Sequence, residues 1–95
     1  MDEEDWLGLT VRARNGTVVG VVVGVFAEGP LAGRLRVHGD YVPGRGARGP
    51  QGGIAVYAIP RHAVVQRTER SLVLNVTRSR ARSQWLMHVR QRTEP

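Results

Sequence analysis

The chain has no cysteine, no lysine and only five aromatic residues among its 95. Without cysteine there are no disulfide staples, no thiolate metal sites and no cysteine nucleophile. Carboxylates are scarce where chemistry would need them. Four of the eight acids are Asp2, Glu3, Glu4 and Asp5, and the others are Glu28, Asp40, Glu69 and Glu94, all in turn-like or terminal positions. A paired-carboxylate site has nothing to draw on. The longest apolar run, residues 17–27, is far short of the roughly 20 residues of a membrane helix. Gly16, Gly20 and Gly24 repeat at small-xxx-small spacing there, but the run is too short and too valine-rich for a membrane dimerisation face. The first residues are acidic where a secretory signal is positive, so a cytoplasmic address is expected.

What remains is strongly basic. All fourteen cationic residues are arginine, and residues 6–95 set them against four acids. Such a field attracts polyanions. Arginine without lysine, beside abundant Ala, Gly and Val, also fits the composition of a GC-rich genome. At 10.5 kDa the chain has the size of one ordinary domain. A chain of that size has room for one small core and little room for a deep substrate cavity inside it.

Residues 1–8 read as an acidic flexible tail. Leu9 to Ala13 alternates at strand period. Asn15-Gly16 follows, the strongest short hairpin signal, since both positions tolerate positive φ. Thr17 to Phe26 is a second strand. Strict alternation puts Val19, Val21, Val23 and Val25 on one face, and Val18, Gly20, Val22, Gly24 and Phe26 on the other. Both faces are apolar, so the strand belongs in a closed barrel or under a partner. Its glycines point to a bend or a close backbone approach. Arg34 to His38 alternates, with Leu35 and Val37 inward. Residues 39–53 hold six glycines and two prolines and read as a long mobile loop. Ile54 to Ile59 is a strand ended by Pro60. Ala63 to Gln66 is a short extended piece, Thr68 to Ser71 a polar turn, and Leu72 to Val76 the last strand.

After Thr77, a natural N-cap, the period becomes helical. Ala81, Trp85, His88 and Val89 form a stripe, and Arg78, Arg80, Arg82, Arg90 and Arg92 cover the rest. Residues 78–92 are therefore expected to form a basic amphipathic helix, anchored by Trp85, that closes one mouth of a β domain over residues 9–77. The expected fold is mainly β: a small bent antiparallel barrel of about six strands with one C-terminal helix. Trp85, Ala81, Leu74, Val19, Val21, Val23 and Val37 should hold its core, and Gly16, Gly20 and Pro60 should set its backbone.

Several of these pieces resemble the PRC-barrel domain. They are Val11, Asn15-Gly16, Val19-Gly20, Val22, Val25, Leu35-Arg36-Val37, Tyr57-Ala58-Ile59-Pro60 and Leu72-Val73-Leu74. The downstream Leu74-Asn75-Val76-Thr77, Ala81 and Trp85 look like the small stand-alone bacterial version, which has no assigned function. The resemblance covers about residues 9–85. It implies a strongly bent barrel, often paired into a dimer, that docks other proteins and does not catalyse. Such domains occur in the cytoplasmic part of a photosynthetic reaction-centre subunit and in a ribosome maturation factor. The long glycine-rich loop and the arginine-laden C-terminal helix depart from the family pattern.

No catalytic constellation is visible. His38, His62 and His88 fall on three elements, and Ser71, Ser79 and Ser83 lack an elbow motif or a nearby base. His38 and Asp40 would share a strand face, too few ligands for a metal site. No cofactor is implied. Gly44-Arg45-Gly46-Ala47-Arg48-Gly49 has arginine–glycine character of the kind that binds RNA, though with two arginines and one flanking aromatic it reads equally as a linker. Arg78 and Arg82, four apart, with Arg80 adjacent, make a row suited to phosphates. The reading is a non-catalytic interaction module, a homodimer with an unidentified protein partner and no membrane insertion. The alternative is an RNA- or ribosome-associated binder using Arg45, Arg48, Arg78, Arg80 and Arg82.

Overall fold

The computed structural model describes residues 6–41 and 53–91, with the backbone alone for Asp40, Tyr41, Arg90 and Gln91. The acidic residues 1–5 and the loop arginines Arg45 and Arg48 lie outside the described residues. The fold is mainly β. Strands β1 (Thr10–Arg12), β2 (Val18–Val25), β3 (Leu35–Tyr41), β4 (Gly53–Ile59), β5 (Val64–Arg67) and β6 (Ser71–Leu74) precede helix α1 (Arg78–Trp85) and strand β7 (Leu86–Gln91). They form one seven-stranded sheet in the order β5-β6-β1-β2-β3-β4-β7.

The hairpin at Asn15-Gly16 is present. Ala13 N–H donates to the Thr17 carbonyl at 2.7 Å, and Gly16 N–H donates to the Ala13 carbonyl at 2.9 Å. Only Gly16 takes positive φ, at 91°, so Asn15 stays right-handed. The turn is an ordinary four-residue one closed by a left-handed glycine. The Asn15 side-chain oxygen accepts from Thr17 N–H at 3.2 Å.

Chain connectivity forces the sheet to curl. β4 and β5 lie five strand spacings apart, about 24 Å in a flat sheet. Ile59 and Val64 are joined by Pro60 and a 3₁₀ turn at Arg61–Ala63. Five residues span at most about 18 Å when fully extended, and less when three of them are wound. The ends therefore bend toward each other. One apolar cluster fills the concave side, with Val11 and Leu72 from one end and Tyr57 and Ile59 from the other. β6 returns to the free edge of β1 and pairs with it in parallel, Val11 opposite Leu72. The sheet is thus mixed, not wholly antiparallel as expected. It is curled but not closed, with β5 and β7 as its edges.

Three further expectations are corrected. First, β2 does not alternate. Val19 is an extra residue opposite β1, where Gly20 pairs with Val11 and Val18 with Arg12. Val23 is an extra residue opposite β3, where Val22 pairs with Val37 and Gly24 with Arg36. Each bulge flips the strand's facing. The core receives Val19, Val22 and, in part, Val25. Val21 and Val23, expected inside, are 39% and 46% exposed.

Second, the C-terminal helix is eight residues long and ends at Trp85. Leu86–Gln91 instead pairs antiparallel with β4, from Leu86 opposite Tyr57 to Gln91 opposite Gly53. A short apolar stretch carries either period. Here the ladder on β4 satisfies backbone groups that a longer helix would leave as an open edge.

Third, the ends of two expected segments are ordered. Trp6 packs against the core cluster and its ring lies 5.8 Å from the Arg61 guanidinium, so residues 6–8 are part of the fold, not tail. Gly39 to Tyr41 and Gly53 are strand, which shortens the expected loop of residues 39–53 at both rims.

Candidate functional surface

The curl divides the sheet into a packed inner face and an outer face, and the functional candidates lie outside. On the outer face of β2, Val18 is 46% exposed beside Val21 and Val23. Three wet valines on one strand, each more than a third exposed among the described residues, form an apolar strip. Bulges supply other exposed apolar residues as well. Met87 is the extra residue of β7 opposite Val56 and Tyr57, and Val65 that of β5 opposite Leu74 and Val73. Both are exposed, Met87 at 43% and Val65 at 62%.

Further across the outer face, register builds a second feature. His38 on β3 sits opposite Val56 on β4, and Val56 sits opposite His88 on β7. The two histidines therefore flank one buried valine, about two strand spacings or ~10 Å apart. Because Met87 is a bulge residue, it and His88 face the same side although they are consecutive. Phe26, Arg36, His38, Val56, Met87 and His88 line a groove of about 240 Å³. The Arg36 guanidinium lies 4.6 Å over the Phe26 ring centroid. Its register partners are Gly24 and Ala58, which leave the space beside it unfilled.

The arginines of α1 differ in their exposure. Thr77 caps the helix as expected, its hydroxyl accepting from Arg80 N–H at 3.3 Å. Ala81 is buried and Trp85 packs against the core. Arg80 is exposed, but Arg78 and Arg82 are half-buried, and the Nε of Arg78 is shielded from solvent. The face that pairs Arg78 with Arg82 thus leans on the protein body.

The positions expected to shape the backbone have clear surroundings. Gly16 is the left-handed turn residue. At Gly20 a Cβ would meet the His38 carbonyl oxygen at 2.4 Å, and at Gly39 one would meet the Val19 carbonyl oxygen at 2.0 Å. β2 and β3 approach each other through this glycine pair, and bulkier residues would push them apart. Pro60 is buried, and its carbonyl accepts from Ala63 N–H at 3.0 Å. Among the described residues no three His, Cys, Asp or Glu side chains gather as metal ligands; the Asp40 side chain lies outside them. None of the helices among them is long and apolar enough to cross a membrane.

Sequence reasoning missed the groove. The outward facing of Arg36 and His38 was readable from alternation. The contribution of Met87 and His88 was not, because it depends on a strand read as helix. No family model, curated protein or solved structure matches the chain.

Proposed function

We propose that the protein is a non-catalytic interaction module, similar in kind to PRC-barrel domains, that pairs with a second copy of itself through the outer face of β2. The observation that carries this reading is the strip of Val18, Val21 and Val23, which the curled sheet leaves in water. Apolar surface of this kind favours association. The strong bend of the sheet and its single core agree with the barrel reading, in which the cylinder stays unsealed between β5 and β7.

Light scattering on the pure protein tests the pairing. A mass near twice 10.5 kDa is expected, falling to one chain in Val21→Glu with an unchanged circular-dichroism spectrum. A wild-type mass of one chain at all accessible concentrations would contradict it. Binding of RNA is the second reading, supported by the arginine excess. It predicts affinity that weakens steeply with salt.

A further inference from the structure

We infer that the outer-face groove is a binding site for a small aromatic carboxylate. The floor is apolar, made by Phe26, Val56 and Met87, and the polar rim is Arg36, His38 and His88. Among the described residues no carboxylate side chain lines it, and Arg36 brings a fixed positive charge. An apolar floor under a few convergent polar groups is the usual make-up of a ligand pocket. The volume of about 240 Å³ suits one ring and a short acidic arm.

Arg36 is the recognition element. Its guanidinium lies over the Phe26 ring, 4.6 Å from the centroid, a contact to the ring face that occupies none of its N–H donors in a hydrogen bond. It makes no hydrogen bond or ion pair with any described residue. An exposed arginine resting against a ring is suited to bidentate binding of a carboxylate. Gly24 leaves open space on one side, with nothing within 4 Å of where its Cβ would stand. On the β7 side the bulge residue Met87 lines the groove, and a thioether sulfur packs well against a ring edge. The site lies on β3, β4 and β7 and on Phe26 just after β2, and it borders the valine strip, since His38 sits opposite Val21. The titration is therefore run on Val21→Glu as well as on the parent, and binding is expected in both.

Titration with phenylacetate, read by the NMR signals of the Met87 methyl and the His88 ring, tests this. Saturable shifts are expected, with phenylacetamide of the same shape binding at least about tenfold more weakly. Arg36→Gln should lose a similar factor while its remaining spectrum overlays the parent. Equal affinity for acid and amide, parent-like binding by Arg36→Gln, or no saturable shift at on the order of tens of millimolar phenylacetate would each overturn the inference. Should Arg36→Gln unfold, the acid–amide comparison on the parent protein decides alone.

Discussion

The two faces of the curled sheet obey different rules. The inner face collects Val11, Val19, Val22, Leu35, Val37, Tyr57, Ile59, Leu72 and Leu74, each almost wholly removed from water. The outer face carries Val18, Val21, Val23, Met87, Arg36, His38 and His88 in or beside open solvent. Packing decides the first, because every methylene there has neighbours on all sides. Bulges decide the second. Of the four extra residues in the described pairings, Val23, Val65 and Met87 are exposed, and Val19 is the one that turns into the core. One face therefore holds the fold together, while the other holds what is available for recognition.

This contrast sets the expected order of mutational effects. The largest loss should come from the inner face. Leu72→Ala or Leu74→Ala should cost about 2–5 kcal/mol in urea unfolding, because each side chain is fully buried between strands from both ends of the sheet. A smaller effect of either would show that the two ends do not share one core. Next is Gly20→Ala, whose Cβ has a backbone carbonyl within 2.4 Å, so strand β3 must move. A loss of about 1–3 kcal/mol is expected, as for overpacked sites. Parent-like stability would mean that β2 and β3 are not in close approach.

Val21→Thr and Val23→Thr should change folding stability, measured in the monomer, by no more than about 0.5 kcal/mol, since both side chains are open. A core-sized loss at either would place it inside and remove the second bulge. Tyr57→Phe should stand apart from all of these, with no loss of stability. The Tyr57 hydroxyl is buried and has no hydrogen-bond partner among the described residues. Removing it should leave stability unchanged or raise it by about 1 kcal/mol. A loss of that size would reveal a partner for the hydroxyl.

Much of the inner face was legible in the residues themselves. Leu35 and Val37, Leu72 and Leu74, the Asn15-Gly16 turn and the stop at Pro60 follow from alternation and turn chemistry. β2 was legible as a strand but not in its facing. Its valines satisfy either face equally, so the pattern carries no register, and the bulges arise from pairing with two neighbours at once. Residues 86–91 were misread for a related reason. Leu86, His88 and Val89 fit helical spacing, and only the vacant edge of β4, a long-range feature, selects the strand. The parallel pairing of β1 with β6 was out of reach for the same cause. The groove inherits this blindness, because a third of its lining, Met87 and His88, comes from β7 and its bulge.

The claim that the outer face of β2 is covered by a second copy is tested most directly by methyl relaxation with a soluble paramagnetic probe. At association-favouring concentration, the methyls of Val18, Val21 and Val23 should be shielded to nearly the extent of Val11 and Val37, and should lose that shielding on dilution. Full relaxation of those three valines at every concentration, with Val11 and Val37 still shielded, would contradict it.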